Sequence, residues 1–306
     1  MSRPEIREEC RGKWRGILPL FGVPVPALSK RNCPCPKCGG TDRFDFTDLN
    51  GEGVYNCRQC GGGDGVALVR LMTGMSFIEA VAAIREKLPG IPVGATPKRV
   101  TSSERDKMVR KLWDASRPIT DSDEVDRYLC GRGLRGPWPK ALQFAPACPV
   151  SRDPAHKALP AMLARVSLPS GEPYTLHRTY LQHGRKAVIE SPRRLMPGRL
   201  EAGSHIRLGG FRDELAIAEG IETALAVRRD FGVTCWSLIS AGNLAQFQPP
   251  LGVRRLRIFA DNDPKFGGQA AAYALAHRVA CQPDPIEVTV ELPPIVGTDW
   301  ADQAVA

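Results

Sequence analysis

Four cysteines, Cys35, Cys38, Cys57 and Cys60, stand as two Cys-x2-Cys pairs separated by eighteen residues. This spacing lets four thiolates surround one tetrahedral ion, and zinc with a closed structural shell suits such a donor set. Each pair needs a tight turn after its second cysteine, where Gly39-Gly40 and Gly61-Gly62 supply backbone freedom. Cys33 competes for the first place, but only Cys35 leaves two residues before Cys38. A module this small cannot organise 306 residues, so about two or three domains are expected in all.

The remaining six of the ten cysteines show no disulfide-like framework and read as ordinary thiols. The charged start MSRPEIREECRGKWRG is unlike a secretory signal, and no stretch approaches the roughly 20 apolar residues that span a bilayer. A cytoplasmic protein with no membrane partner is expected. The net charge of +9 is unevenly spread: residues 1–100 carry +5, residues 101–210 carry +8 and residues 211–306 carry −4. A basic two-thirds suits a polyanion such as nucleic acid, and an acidic last third suits a cation. Solvated surface charge is the plainer reading of the same numbers.

Helices are predicted over residues 66–72 and 76–88, the second opened by a capping box of Ser76 and Glu79, with Phe77, Ala80, Val81, Ile84 and Leu88 on one face. Residues 89–103, PGIPVGATPKRVTSS, read as a linker. Beyond it, helices over 104–116 and 122–130 and a hairpin of strands 159–168 and 174–182, turned at Ser170-Gly171, give an α+β middle segment. From residue 214 apolar strands (215–218, 236–239, 256–260, 286–292) alternate with helices (221–231, 269–280), the pattern of a parallel sheet covered on both faces. The predicted fold class is therefore multidomain, α/β and α+β. Its divisions are residues 1–88, a linker 89–103, a basic α+β part 104–210 and an α/β domain 211–306.

The strand 215–218 delivers Glu219, and the strand 256–260 delivers Asp261-Asn262-Asp263. Ligands of parallel sheets bind beyond the carboxyl ends of the strands, so the three carboxylates can converge. Grouped carboxylates repel, and a divalent cation such as magnesium is the simplest reason to tolerate them. Asp299 and Asp302 follow the last strand and either complete that site or, for Asp299, cap a terminal helix. Glu222, one helical turn past Glu219, reads as a surface or supporting group. Lys265 stands near enough to Asp263 to touch a nucleotide phosphate, or is a mobile surface lysine. Arg185, Lys186, Arg193, Arg194 and Arg199 form a basic strip, flanked by Arg178 and Arg207, that could bind triphosphate or template backbone. A solvated loop is the alternative.

The strings CPKCGGTDRFDF and VYNCRQCGGGDGVAL resemble the zinc-binding domain of bacteriophage- and plasmid-type primases. The resemblance implies a ribbon that contacts single-stranded template, with Arg43 and Phe44 as DNA contacts. The residues alone read equally as an Arg–Asp surface pair and a core Phe. AIAEGIETALA and RIFADND look like the Glu and Asp-x-Asp motifs of the Toprim domain. That likeness implies Asp261 and Asp263 as magnesium ligands and Glu219 as a metal helper or general acid/base. The wider likeness, over residues 30–305, is to primases with ribbon, middle segment and Toprim, supported by YLCGRGL, RRLMPGRLEAGSHIRLGG and GTDWADQ.

The expected function is a DNA primase that uses magnesium or manganese to join ribonucleoside triphosphates on single-stranded DNA, in replication of a phage, plasmid or mobile element. No G-x-x-x-x-G-K-[ST] occurs, so a separate helicase or replication initiator is the expected partner. The alternatives are a non-catalytic zinc/Toprim recombination or replication mediator and a Toprim nuclease. The former is disfavoured because Glu219, Asp261 and Asp263 are all present.

Overall fold

The computed structural model describes residues 3–29, 32–94, 101–150, 158–189, 191–196 and 200–302. They gather into two compact units, Met1–Val100 and Thr101–Ala306. In the first, helices α1 (Arg3–Glu9), α2 (Trp14–Ile17) and α3 (Val25–Ser29) precede strands β1 (Cys33–Cys35), β2 (Gly39–Phe46), β3 (Tyr55–Cys57) and β4 (Gly61–Gly63). These strands form an antiparallel sheet in sequence order. Helices α4 (Gly65–Thr73) and α5 (Phe77–Lys87) follow. The strands are too short to enclose a core, so Phe44, Phe46 and Tyr55 share one with Trp14, Leu68 and Ile84 of the helices. Trp14 is fully buried because Gly53 and Gly65 leave it room: an added Cβ would lie 2.6 and 2.2 Å from the indole.

The capping box of Ser76 and Glu79 is present, and α5 buries Ala80, Val81 and Ile84 as the periodicity predicts. Of the predicted linker, residues 91–94 have no regular structure, the Gly94 N–H is bonded to the Gly12 carbonyl at 2.8 Å, and residues 95–100 lie outside the described residues. A second capping box, Thr101 with Glu104, starts α6 (Ser102–Asp114) two residues before the predicted helix.

The second unit continues with β5 (Arg117–Pro118), α7 (Glu124–Cys130), β6 (Leu142–Pro149), β7 (Ala158–Ser167), β8 (Pro173–Gln182), β9 (Arg185–Lys186) and β10 (Arg193–Leu195). The sheet order is β10-β8-β7-β6-β5, with β9 also on β8, so the predicted hairpin is the centre of a larger antiparallel sheet. Then come β11 (Glu214–Ala218), α8 (Ile221–Phe231), β12 (Cys235–Ser237), α9 (Ala241–Leu244), β13 (Arg255–Phe259), α10 (Gly267–Ala280) and β14 (Glu287–Glu291). These four strands form an all-parallel sheet in the order β12-β11-β13-β14.

Strand alternation sets which layers meet. Leu215 and Ile217 of β11 pack with Ala272, Leu275 and Val279 of α10. Ala216 and Ala218 face the other way, into a core with Ile221 and Ala224 of α8, Val125 and Leu129 of α7, and Met162 and Ala164 of β7. The opposite face of the antiparallel sheet, through Leu163, Leu176 and Tyr180, takes Met108, Leu112 and Trp113 of α6. One core thus joins the antiparallel sheet to the parallel one. No single helix among the described residues is long and apolar enough to cross a membrane.

Candidate metal centres and their surroundings

The Sγ atoms of Cys35, Cys38, Cys57 and Cys60 lie within 4.8 Å of one another. Zinc–sulfur bonds of about 2.3 Å in a tetrahedron would set the sulfurs ~3.8 Å apart, and those of Cys38 and Cys57 are 3.7 Å apart. The N–H of Lys37 points at Cys35 Sγ and that of Cys60 at Cys57 Sγ, both at 3.4 Å, which favours the thiolates that zinc needs. Gly39, Gly40 and Gly61 have φ of 68°, 83° and 83°, the left-handed turns that the knuckles require. This geometry fits a structural zinc ion. Cys33 lies outside the group, buried with its Sγ 3.5 Å from the Phe44 carbonyl.

Glu219 leaves the carboxyl end of β11, and Asp261 leaves that of β13 beside it. Burial first, then the charges of Glu219, Asp299, Asp263 and Asp302, push the Asp261 carboxyl up to about 7. Burial and Asp263 also raise Glu219, against the opposing influence of Arg193. Burial and Asp302 raise Asp299. The predicted acids therefore share one electrostatic neighbourhood, including the two beyond the last strand. Asp261 Oδ1 is buried without a hydrogen-bond partner. A carboxylate oxygen in that condition is uncomfortable alone and fits a cation. Among the described residues only the cysteines close to 4.8 Å as a group, so the carboxylates are neighbours without forming a finished ligand shell.

The loop between the two aspartates is braced from two sides. Asn262 Nδ2 donates to the Pro293 carbonyl at 2.8 Å, while Gln269 Nε2 donates to Asn262 Oδ1 at 2.9 Å and to the Asp263 carbonyl at 3.1 Å. Asp263 Oδ2 accepts the Gly268 N–H at 2.8 Å, at the first turn of α10. A Cβ at Gly268 would lie 2.9 Å from the Asp261 carbonyl oxygen. On the expectation that these acids hold magnesium, Gly268→Ala should displace the loop and weaken that binding about tenfold, measured by calorimetric titration with the thermal midpoint as a control for folding.

Asp299 adopts the capping arrangement: its Oδ1 accepts the N–H groups of Ala301 and Asp302 at 2.7 and 3.0 Å. Arg132 Nη2 reaches Asp302 at 3.1 Å and Asp299 at 3.7 Å. Both acids act on Asp261 through charge while being held by these partners. Lys265 is exposed on the loop that follows Asp263.

The basic strip does not present one face, because strand alternation divides it. Arg193 pairs across from Thr179 and Lys186 across from Leu181, which puts both on the face that turns toward α8. Arg194 pairs with Arg178 on the other face. Arg194 donates to the carbonyls of Ser191 (2.8 Å) and Val150 (2.9 Å), and Arg178 to those of Pro149 (3.2 Å) and Leu195 (2.9 Å). Those two guanidiniums hold backbone together, on the face opposite Arg193 and Lys186. Arg207 lies over the Trp236 ring at 4.7 Å. Arg185 is exposed, and Arg199 lies outside the described residues.

Phe44 is fully buried and stacked on Tyr55 with centroids 5.9 Å apart, so its core reading holds and its side chain is not a surface DNA contact. Arg43 is half-buried, with its guanidinium against Gly40. The ion pair of the ribbon surface is Arg58 with Asp42, at 3.0 Å.

The sequence gives no direct signal for a buried polar network beside the acids. Glu222 is 6% exposed, accepts the Tyr128 hydroxyl and lies 3.5 Å from Lys186 Nζ. Burial opposes its charge, but Lys186, the Tyr128 hydroxyl, a backbone N–H and Arg193 together hold it below the ordinary carboxylate range. Next to it His177 is buried with an unpartnered Nδ1. Burial lowers the imidazole to about 4, with Glu222 opposing and Arg193, Arg178 and Lys186 assisting.

An unfolded histidine titrates near 6.5 (approximately), so the folded chain refuses a proton that the unfolded chain accepts. The stability this neutral ring contributes is present above pH ~6.5 and is lost as pH falls toward 4, by about 3 kcal/mol in all. Asp261, raised to about 7, contributes the opposite slope over the same range, so the histidine's share is read by difference: the stability of the wild type relative to His177→Leu, from thermal unfolding at successive pH values, is expected to fall as pH falls from ~6.5 toward 4.

Residues 214–306 match the family model of the Toprim domain, residues 30–66 that of the zinc-binding domain of primase-helicase, and residues 103–208 a domain of unknown function, DUF7146. By fold and by match, the second unit ends in a Toprim domain. The chain thus joins a four-cysteine segment that matches the zinc-binding domain of primase-helicase to a segment that matches the Toprim domain. Among solved structures it is similar to a DNA primase domain from Pseudomonas aeruginosa (14% identity, TM-score 0.44, covering 64% of this chain and 72% of that one). It is also similar to the Aquifex aeolicus primase zinc-binding and RNA polymerase domains (15%, 0.42, covering 99% and 82%). A third is the primase fragment of the bacteriophage T7 primase-helicase protein (13%, 0.41, covering 90% and 94%).

Proposed function

We propose that this chain is a DNA primase that makes short RNA primers on single-stranded DNA for the replication of a phage, plasmid or mobile element. The observation that carries the reading is the gathering of Glu219, Asp261 and Asp263 at the ends of adjacent parallel strands, with a buried, unpartnered Asp261 oxygen. Asp261, Asp263 and Glu219 would hold magnesium or manganese, which when bound neutralises triphosphate charge and stabilises the charge that develops in nucleotidyl transfer. Arg193, whose charge acts on Glu219, and Lys186 on the same sheet face would pair with the triphosphate. Arg185 and Lys265, both exposed, and the ribbon with Arg43 would contact template backbone. In this division residues 104–210 and 211–306 are two parts of one polymerase core. Residues 89–103 link that core to the template-reading domain.

The protein would work in the cytoplasm with a separate helicase or initiator. A mediator that only binds DNA needs no set of mutually repelling carboxylates, which favours an enzyme. Incubation with single-stranded DNA, labelled ribonucleotides and magnesium or manganese, beside Asp261→Ala, separates the readings. Short labelled products absent from the variant support a primase. Degraded DNA would mean a nuclease, and binding without products a mediator.

A further inference from the structure

We propose that Glu222 is a positioning residue: buried one turn after Glu219, it fixes the ammonium of Lys186 on the sheet face that Lys186 shares with Arg193, where the triphosphate of an incoming nucleotide would meet it. The inference rests on the primase reading for the identity of that ligand. The placement itself stands on geometry.

Three elements converge on one carboxylate. Glu222 lies in the first turn of α8, whose preceding residue pair Glu219-Gly220 joins it to β11. Tyr128 of α7 donates its hydroxyl to Glu222 Oε1, and Lys186 of β9 places Nζ 3.5 Å from the same oxygen. Lys186 Nζ also stands 5.9 Å from the centre of the Tyr128 ring. A lysine on a two-residue strand has four rotatable bonds and ordinarily wanders in solvent. Here its side chain is 36% exposed and directed inward, because a carboxylate 8% exposed offers it charge and the Tyr128 ring covers it.

The arrangement also explains why a carboxylate is tolerated at 222. Without a cation it would be a buried charge held only by the Tyr128 hydroxyl and a backbone N–H, a strongly unfavourable state. Lys186 and the nearby Arg193 balance it, and Arg193 acts on Glu219 as well. Glu222 is thus a local counter-charge that keeps cations near the acidic centre before substrate arrives. A triphosphate carries more negative charge than one carboxylate and is reachable from the half-exposed ammonium, so Lys186 can turn to it without first being ordered.

The test uses the full zinc-loaded chain with Glu222→Gln, Lys186→Met, the double variant and Tyr128→Phe, each checked for an unchanged thermal midpoint. Two quantities are read: the acetic-anhydride reactivity of Lys186 by mass spectrometry, and magnesium-dependent binding of a fluorescent ribonucleoside triphosphate. Glu222→Gln is expected to raise Lys186 reactivity and weaken triphosphate binding about tenfold. Lys186→Met should weaken binding similarly, and the double variant no further than either single one. Tyr128→Phe, which keeps the ring, should shift both quantities the same way by less.

Unchanged Lys186 reactivity in Glu222→Gln overturns the positioning claim whatever the protein's activity. So does additive loss in the double variant. A wild-type chain that binds no triphosphate overturns the primase reading and the inference with it, whereas a wild type that binds and a Glu222→Gln variant that binds equally well overturn the inference alone. If Glu222→Gln lowers the thermal midpoint, Tyr128→Phe carries the test, and an unmoved Lys186 reactivity there overturns the claim.

Discussion

Stripping zinc from the protein, or replacing Cys57 with Ser, is expected to abolish the order of the strands between residues 33 and 63. Beyond the core contacts of Phe44, Phe46 and Tyr55, those strands have little else to hold them. β1 and β3 are three residues long, and β4 is Gly61-Gly62-Gly63, which buries no side chain. Structural zinc supplies about 10–16 kcal/mol of binding free energy to such modules, as much as the whole stability of a typical domain, about 5–15 kcal/mol. Hydrogen exchange should show protection lost through residues 33–63 and retained in the parallel sheet of β11 to β14, which belongs to the other compact unit. Template-dependent initiation should fail in the Cys57 variant while magnesium binding by the carboxylates of the other unit persists. Equal loss of both would mean that zinc only supports the fold.

The second large effect is at Asp261. Asp261→Asn is expected to reduce metal-dependent synthesis by about a thousandfold or more, comparable to losing a main electrostatic contribution to catalysis. The same substitution should raise the thermal midpoint of the metal-free protein, because the half-buried Asp261 stands among Glu219, Asp299, Asp263 and Asp302 and like charges there oppose folding. Magnesium should stabilise the wild type and leave the variant unmoved, read as the shift in midpoint with added ion. A variant less stable than metal-free wild type would show that Asp261 is a structural residue.

The parts legible in sequence were those in which local chemistry decides the outcome. The cysteine pairs, three of the four turn glycines (Gly39, Gly40 and Gly61) and the Ser76 capping box need only near neighbours and stand as read, whereas Gly62 lies in β4, paired with Asn56. The alternation of strands and helices after residue 214 likewise carries its own sheet. What sequence left open depended on partners far along the chain. Arg193 and Arg194 are adjacent, yet pairing with β8 sends them to opposite faces, and only the register tells them apart. Phe44 could face DNA or core until Tyr55 and the helices were placed around it.

Glu222 has no signal of burial in a helix of mixed composition, since Tyr128 lies ninety-four residues away. The strand β6 went unread because its apolar alternation is broken by prolines at 146 and 149. Asn262 and Gln269 brace the aspartate loop through hydrogen bonds that no spacing rule encodes.

The central claim is that this chain starts RNA strands on its own active carboxylates, and the label that reports starting is a γ-phosphate. An incoming nucleotide loses its γ-phosphate with pyrophosphate, so only the first nucleotide of a strand made without a primer keeps it. Single-stranded DNA, magnesium and γ-labelled ribonucleoside triphosphates are therefore expected to yield short labelled RNA with the wild type and none with Asp261→Ala. Labelled RNA formed equally by both, or no γ-labelled product from a zinc-loaded wild type that binds its template, would contradict the account.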